Sequence, residues 1–92
     1  MTLAEEKRVA FTKLNYPPGT RLELIQMGDD PRPVEPGTRG SVRVVDDMGS
    51  IHMRWDNGRT LALIPGEDTF RKLTPEEIAQ EQQMEGMECQ TM

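Results

Sequence analysis

Two acidic pairs, one histidine and one cysteine are the residues of this chain whose types could support chemistry. The pairs are Asp29-Asp30 and Asp46-Asp47, and the single residues are His52 and Cys89. Carboxylate pairs could hold a divalent cation if loops brought them together, because hard cations prefer several oxygen ligands. Adjacent Asp residues in turns more commonly accept hydrogen bonds from the local backbone. We therefore expect turn formers rather than a metal site.

The histidine and the cysteine lack the partners that catalysis requires. His52 is the only histidine and stands between Ile51 and Met53, a pattern that predicts a solvated side chain on a strand. Cys89 lies in an acidic segment with no basic neighbour that would favour the thiolate. The sequence contains no glycine-rich phosphate loop, no Ser-His-Asp set and no cluster with metal-ligand spacing. We therefore expect no enzyme activity, no catalytic residue, no metal and no cofactor.

The only tryptophan, Trp55, directly precedes Asp56-Asn57-Gly58. Its indole either packs beneath the neighbouring turns or contacts a ligand. A long polar segment, GDDPRPVEPGTRG over 28–40, lies elsewhere in the chain, and surface loops on a rigid scaffold commonly carry binding residues. The candidate partner-binding residues are Asp29, Asp30, Arg32, Trp55, Asp56 and Asn57.

Four arginines, Arg39, Arg43, Arg54 and Arg59, could instead line one outer face of a sheet. Such a basic strip would contact phosphates, which makes nucleic-acid binding the alternative function. The opposing interpretation is that these arginines pair with carboxylates on neighbouring strands. No aromatic residues alternate with the arginines, although surfaces that bind single strands normally use aromatics for base stacking.

The net charge of −5 over 92 residues comes from one end of the chain. Residues 1–17 hold three basic and two acidic groups, and residues 18–73 hold eight basic and nine acidic groups. Residues 74–92 hold five glutamates and no basic group. The middle of the chain is therefore nearly neutral, and its overall field neither attracts nor repels nucleic acid strongly.

The length of the chain predicts one domain, and a hydrophobic content of 35% allows only a small core. No run approaches the roughly 18 apolar residues of a membrane span, and the amino-terminal residues lack the apolar stretch of a signal peptide. A single cysteine excludes an internal disulfide. We expect a cytoplasmic protein that does not associate with membranes.

Two capping-box sequences predict a helix near each end of the chain. TLAE at 2–5 and TPEE at 74–77 have the spacing in which a hydroxyl and a carboxylate each satisfy a free amide of the first turn. The first helix is predicted from Leu3 to about Leu14, and the second to about Met84. The apolar side of the first helix would hold Leu3, Val9 or Ala10, Phe11 and Leu14.

The middle of the chain reads as short β-strands separated by turns. The predicted strands are RLELIQM (21–27), SVRVV (41–45), SIHMRW (50–55), TLALI (60–64) and FRKL (70–73). Asn57-Gly58 predicts a type I′ hairpin, and three Pro-Gly pairs predict type II turns. Five short strands with one apolar face favour a closed, strongly twisted barrel, which also removes exposed edges.

The predicted fold class is therefore mainly β, a small five-stranded SH3-like barrel with short N-terminal and C-terminal helices. Residues 1–17 form a helical lead-in, 18–73 the barrel, and 74–92 an acidic helix and tail.

Four sequence segments resemble a known family. They are YPPGTRLELI, PGTRGSVRVVDDMG, IHMRWDNG and LIPGEDTF, all within 16–73. This stretch resembles an uncharacterised domain family of bacterial mobile elements and phages, domain of unknown function 4314. The resemblance implies an SH3-like barrel and residence on conjugative or phage-derived DNA. It implies no reaction, because the family has no assigned activity.

These observations together predict a cytoplasmic, non-enzymatic module of a phage or mobile element that binds an unidentified protein. The predicted docking segments are the long loop from Asp29 to Val34 and the hairpin from Trp55 to Asn57. An accessory factor that modulates host defence is one form of this hypothesis. The sequence leaves the partner, the oligomeric state and the role of the acidic tail open.

Overall fold

The computed structural model describes residues 2–28 and 30–82 of the chain. Its elements, in chain order, are α1 (Leu3–Asn15), β1 (Arg21–Gln26), β2 (Arg39–Val45), β3 (Ile51–Trp55), β4 (Thr69–Lys72) and α2 (75–82). Both helices and four of the five strands lie where the sequence predicts them. The predicted end of the second helix near Met84 lies outside the described residues.

The four strands form one antiparallel sheet in the order β3-β2-β1-β4. Leu22 and Leu24 of β1 are buried, whereas Arg21 and Glu23 are only partly so and lie on the opposite face. This alternation follows from the two-residue period of a strand. One face of the sheet therefore covers the core, and we call the opposite face, which carries Arg21 and Glu23, the outer face.

The sheet is open, and the fifth strand predicted over 60–64 does not form. Leu63 makes a single isolated antiparallel bridge to Ile51, with two N–H···O bonds of 2.8 Å. If this register continued toward the hairpin, the Leu61 carbonyl would accept a main-chain amide of β3. It accepts the indole N–H of Trp55 at 2.8 Å. A side chain thus takes the acceptor that a continuous ladder needs. The prediction of a closed five-stranded, mainly β barrel is wrong: the described residues form an open sheet with helices at both ends.

The core lies under the inner face of the sheet and includes the whole indole of Trp55. Its buried members are Leu22, Leu24, Val34, Val42, Val45, Ile51, Met53, Trp55 and Leu63. Trp55 lies opposite Gly40 in the β2–β3 pair. A Cβ atom on Gly40 would lie 2.9 Å from both Cα and Cε3 of Trp55 and 2.8 Å from the Arg54 carbonyl oxygen. The absence of a side chain at this position therefore makes room for the tryptophan.

The three Pro-Gly pairs form the predicted type II turns. In each pair the glycine has a positive φ, and the amide of the next residue donates to the carbonyl three residues earlier. Proline presets the first central residue, and glycine accepts the positive φ of the second. These turns precede β1, β2 and β4, so the Pro-Gly pairs mark where these strands begin.

The Asn57-Gly58 hairpin differs from the predicted type I′ turn. Gly58 has a φ of 90°, but Asn57 does not have a positive φ, because the residues with positive φ in the described chain are all glycines. The Gly58 amide donates to the Trp55 carbonyl, and the Trp55 amide donates to the Arg59 carbonyl, both at 2.9 Å. This pattern matches the three-residue loop in which a turn with ordinary φ values is followed by one left-handed glycine.

Both predicted capping boxes are present. The Thr2 hydroxyl accepts the Glu5 amide at 3.2 Å, and the Glu5 carboxylate accepts the Thr2 amide at 3.4 Å. In α2, the Thr74 hydroxyl accepts the Glu77 amide at 3.1 Å, and the Glu77 carboxylate accepts the Thr74 amide at 2.9 Å. Each box satisfies amides that a helix start leaves free. No helix of the described residues is long and apolar enough to cross a membrane.

The side of α1 that the sequence predicts to be buried is largely exposed. Leu3, Phe11 and Leu14 are exposed by 66%, 65% and 81%. The buried residue of α1 is Thr12, whose hydroxyl donates to the Arg8 carbonyl at 3.0 Å. This internal bond satisfies the hydroxyl, so Thr12 can face the domain without an unpaired polar group. The apolar side of α1 consequently faces solvent.

Candidate functional site

The long loop and the β3 hairpin, which the sequence predicts as partner-binding segments, lie side by side. The Arg59 guanidinium joins them, because Nη1 donates to the Pro33 carbonyl at 2.9 Å and Nη2 donates to the Arg32 carbonyl at 2.6 Å. Hydrogen bonds from a charged donor are stronger than those between neutral groups. We call residues 30–33 and 56–59 together the loop–turn surface.

The loop half of this surface has local contacts that constrain its shape. Oδ1 of Asp30 accepts the Arg32 amide at 2.8 Å, which is an Asx-type turn. Val34 is only 1% exposed and fixes the end of the loop in the core. Residues 31–33 are exposed between these two constraints. Asp29, which the sequence also predicts as a partner-binding residue, lies outside the described residues.

The turn half of the surface presents Asn57 to solvent. Oδ1 of Asn57 accepts the Arg59 amide at 3.0 Å. Asp56 is also exposed, but Arg21 holds it through two parallel bonds, Nη1 to Oδ1 at 2.8 Å and Nη2 to Oδ2 at 2.6 Å. This pairing lowers the pKa of Asp56 below its usual range. Asp56 therefore connects the turn to β1, and Asn57 is the uncharged polar group at the tip.

Trp55 does not belong to the docking surface. Its side chain is 1% exposed, and its indole nitrogen is committed to the Leu61 carbonyl. A buried indole with a satisfied N–H cannot contact a partner without unfolding the hairpin. The prediction of Trp55 as a partner-binding residue is therefore corrected to a core residue. The indole lies in the core, with Gly40 opposite it and its N–H on the Leu61 carbonyl.

The four arginines predicted as a basic strip do not form one continuous surface. Arg59 is engaged with loop carbonyls. Arg39 pairs with carboxylates, as the opposing interpretation expects. Arg43 and Arg54 are exposed on the neighbouring strands β2 and β3. The strip is thereby reduced to two arginines that face solvent.

A different basic cluster lies on the outer face of the sheet, beneath α2. It consists of Arg21, Arg39 and Arg71, which we call the arginine face. Glu77 and Glu81 stand one helical turn apart on α2 and point toward it. Arg71 donates through Nη1 and Nη2 to the two oxygens of Glu77 at 2.8 and 2.7 Å. Arg21 donates through Nε and Nη2 to the two oxygens of Glu81 at 3.2 and 2.9 Å.

Arg39 connects the two halves of this cluster. Its Nη1 donates to Glu81 at 3.1 Å and its Nη2 donates to Glu77 at 3.3 Å. Glu23 of β1 accepts from Nε of Arg39 at 3.1 Å and from Nη2 of Arg71 at 3.2 Å. The participating arginine side chains are 18% to 38% exposed. Three arginines and three glutamates thus form a partly desolvated network, to which Asp56 adds a fourth carboxylate through Arg21.

The network keeps the carboxylates of α2 ionised. The Arg71 guanidinium and the Thr74 amide lower the pKa of Glu77 to about 2. The Arg21 guanidinium lowers the pKa of Glu81 below its usual range. Conversely, Glu77 raises the pKa of Arg71, and Asp56, followed by Glu81, raises that of Arg21. At neutral pH the contact between α2 and the sheet therefore includes fully charged hydrogen-bonded pairs.

The second acidic pair shapes the β2–β3 hairpin, as expected for turn formers. Oδ1 of Asp46 accepts the amides two and four residues further on, both at 2.9 Å, and Oδ2 lies 2.8 Å from Nε2 of His52. These contacts, with His52 first, lower the pKa of Asp46. Asp47 pairs with Lys13 of α1 at 2.8 Å. Within residues 2–28 and 30–82, no three His, Cys, Asp or Glu side chains group to hold a metal ion.

A cleft of about 330 Å³ separates α1 from the β2–β3 turn. Its lining combines apolar Val9 and Met48 with charged Glu5 and Arg8. The Thr12 hydroxyl, which also lines it, is already bonded to a main-chain carbonyl. The cleft therefore offers shape and charge but no nucleophile paired with a base.

A family model described as "Domain of unknown function (DUF4314)" matches residues 5–73. The chain belongs to this family. The DUF4314 match begins inside α1 and ends directly before the capping box of α2. The matched region thus includes most of α1, which the sequence predicts as a lead-in. The acidic segment after residue 73 lies outside the match. No curated protein and no solved structure matches the chain.

Sequence reasoning missed the arginine face of this DUF4314 domain. Two signals pointed to it. Arg21 alternates with buried leucines in β1 and must therefore lie on the outer face. Glu77 and Glu81 share one side of a helix because they are four residues apart. The sequence alone does not give the position of α2 over the sheet, because that position depends on tertiary contacts.

Proposed function

We propose that this DUF4314 protein is a cytoplasmic, non-enzymatic protein-interaction module of a phage or mobile element, and that it docks through the loop–turn surface. An SH3-like relationship is part of the proposal, and its support is the single antiparallel bridge between Leu63 and Ile51, which lies where a fifth strand would pair with β3. A factor that modulates a host defence complex falls within this proposal. No role for a metal or cofactor is included.

The observation that carries the proposal is the double hydrogen bond from Arg59 to the carbonyls of Arg32 and Pro33. It fixes an exposed loop against an exposed turn, so a partner would meet a surface that is already ordered. Preorganisation reduces the ordering entropy that binding costs. The surface combines two carboxylates, two guanidinium groups, an amide and two prolines, which suits a polar interface.

A co-purification experiment with matched variants tests this proposal. The bait is the full chain, and R32A/N57A removes two exposed polar side chains of the loop–turn surface. R8A/Q80A removes an arginine and an amide elsewhere and serves as the control. The proposal predicts a partner retained by the wild-type and control baits and recovered roughly tenfold less with R32A/N57A, the effect of about 1.4 kcal/mol. Equal recovery with all three baits contradicts the assigned surface.

The second candidate function is nucleic-acid binding. The observation in its favour is that Arg43 and Arg54 are exposed on adjacent strands of the sheet, where they could contact phosphates. Binding to phosphates releases counterions, so the affinity should fall steeply with salt. Fluorescence anisotropy with labelled single-stranded DNA, duplex DNA and RNA at low salt tests it. Loss of binding in R43A/R54A supports this candidate, and no binding of any probe by any variant rejects it.

A further inference from the structure

The described part of the acidic end, residues 74–82, lies on the basic side of the sheet. Residues 74–92 contain five glutamates and no basic residue. The first helical turns of this segment place Glu77 and Glu81 against all three members of the arginine face. The segregation of charge along the sequence thus corresponds to a contact in the fold.

The contact has the geometry of anion recognition. Arg71 with Glu77 and Arg21 with Glu81 each form two N–H···O bonds between a guanidinium and a carboxylate. The same planar fork recognises phosphate groups with two bonds, which is why arginine is common at phosphate-binding surfaces. The carboxylates of α2 therefore occupy the positions that phosphate oxygens would take.

The basic surface extends beyond the part that these glutamates reach. Arg54 lies opposite Ser41 in the β2–β3 pair, and Ser41 lies opposite Arg21 in the β1–β2 pair. This row continues the arginine face across the sheet to exposed Arg54, and Arg43, also exposed, lies at the bulge of β2 between Val42 and Val44. Within residues 2–28 and 30–82, the ion pairs of α2 with the sheet do not extend to Arg43 or Arg54, whereas an extended polyanion could contact the whole row.

We propose that the arginine face, extended by Arg43 and Arg54, binds the phosphate backbone of nucleic acid, and that α2 covers it as an intramolecular competitor. The inference rests on the second candidate function. The family match ends before α2, so the cover lies outside the matched domain. An extended strand of phosphates fits the row better than a second acidic helix, which would leave Arg43 and Arg54 unused.

The competition by α2 can be weakened easily, because surface ion pairs contribute little free energy and are screened by salt. A tethered competitor acts at a high effective concentration, which compensates for weak individual contacts. If α2 covers the face most of the time, the apparent affinity for nucleic acid falls by the fraction of molecules in which the face is free. Weakening α2 should therefore tighten binding without any new contact.

The test compares three full-length proteins by fluorescence anisotropy with labelled single-stranded and duplex DNA at low salt. E77Q/E81Q removes the charges that contact the arginine face. E67Q/E76Q changes the net charge equally at two exposed glutamates and is the control. We expect E77Q/E81Q to bind roughly tenfold more tightly than the wild type, the change for a face covered about nine-tenths of the time. We expect the control to bind as the wild type does, and R21A/R71A in the E77Q/E81Q background to reverse the gain.

Circular dichroism verifies that each variant is folded, and the single variant E81Q replaces the double variant if the latter is not. Equal DNA binding by E77Q/E81Q and E67Q/E76Q overturns the competition by α2. If the wild type nevertheless binds DNA in a manner that depends on Arg43 and Arg54, the second candidate function survives this failure. A peptide of residues 74–82 that binds E77Q/E81Q, when DNA does not, overturns the nucleic-acid assignment in favour of an acidic protein segment.

Discussion

The indole nitrogen of Trp55 donates to the main-chain carbonyl oxygen of Leu61 at 2.8 Å. In a regular ladder with β3, the Leu61 carbonyl would accept a main-chain amide, and here it accepts the indole N–H. It also satisfies the polar atom of the largest core side chain, as buried indoles generally require. One side chain thus fills the core and fixes the edge of the sheet beside β3.

Replacing Trp55 by phenylalanine should destabilise the protein. The Leu61 carbonyl would lose its donor, at a cost of about 1–3 kcal/mol, and the smaller ring would leave unfilled space that adds to this cost. Urea unfolding followed by far-ultraviolet circular dichroism measures the change. R54A, at an exposed neighbouring position, should shift the free energy of unfolding by no more than about 0.5 kcal/mol. Wild-type stability of W55F would contradict the assigned role of the indole.

Replacing Gly40 by alanine should also destabilise the fold. The new Cβ would lie within 3.0 Å of backbone atoms of Arg54 and Trp55, which cannot move independently of β3. Such overpacking costs about 1–3 kcal/mol. The control is V44A, at a half-exposed position of the same strand. A thermal unfolding midpoint of G40A at or above that of V44A would show that the indole does not lie against this glycine.

Asp68 should stabilise the segment before β4 far more than its neighbour Glu67. Its two carboxylate oxygens accept the amides of Gly28 and Ile64, both at 2.7 Å. D68A removes both acceptors and should lower the free energy of unfolding by about 1–3 kcal/mol. E67A, at an exposed position, should have an effect within about 0.5 kcal/mol. Chemical denaturation of D68A and E67A measures the two changes. Equal losses of unfolding free energy would contradict the role of Asp68 in holding this segment.

Stability should decline at acidic pH partly through the network of α2. The pKa of Glu77 is lowered to about 2, and those of Glu81 and Asp56 are also lowered. A lowered pKa stabilises the fold above the pKa of the unfolded chain, and this contribution is lost as pH falls through the folded pKa. Between about pH 5 and about pH 2, the wild type should lose more stability than E77Q/E81Q. Parallel pH profiles of unfolding free energy would contradict this.

The sequence predicted the elements of this protein well because their signals are local. The Thr2 and Thr74 capping boxes, the Pro-Gly turns and the alternation in β1 each depend on residues close together in the chain. The turn at Asn57-Gly58 was assigned the wrong type, since the dipeptide alone does not determine whether one or both residues take a positive φ. Local rules therefore gave the position of the hairpin but not its geometry.

Closure of the sheet and the composition of the sites depend on contacts that the sequence does not specify. The period of TLALI predicts a strand, but the indole of Trp55 takes one of its acceptors. The apolar side of α1 predicts burial, yet Phe11 and Leu14 face solvent. Arg39 and Arg59 looked alike as members of one strip, but one contacts carboxylates and the other contacts loop carbonyls. Each difference arises from the tertiary arrangement.

The most direct test of the account is the titration of the Glu77 side-chain carboxyl in the full chain by nuclear magnetic resonance. The contact between α2 and the arginine face predicts a pKa of about 2 and a rise toward the ordinary glutamate value in R71A. An ordinary pKa in the wild type, unchanged in R71A, would show that α2 does not lie on the arginine face.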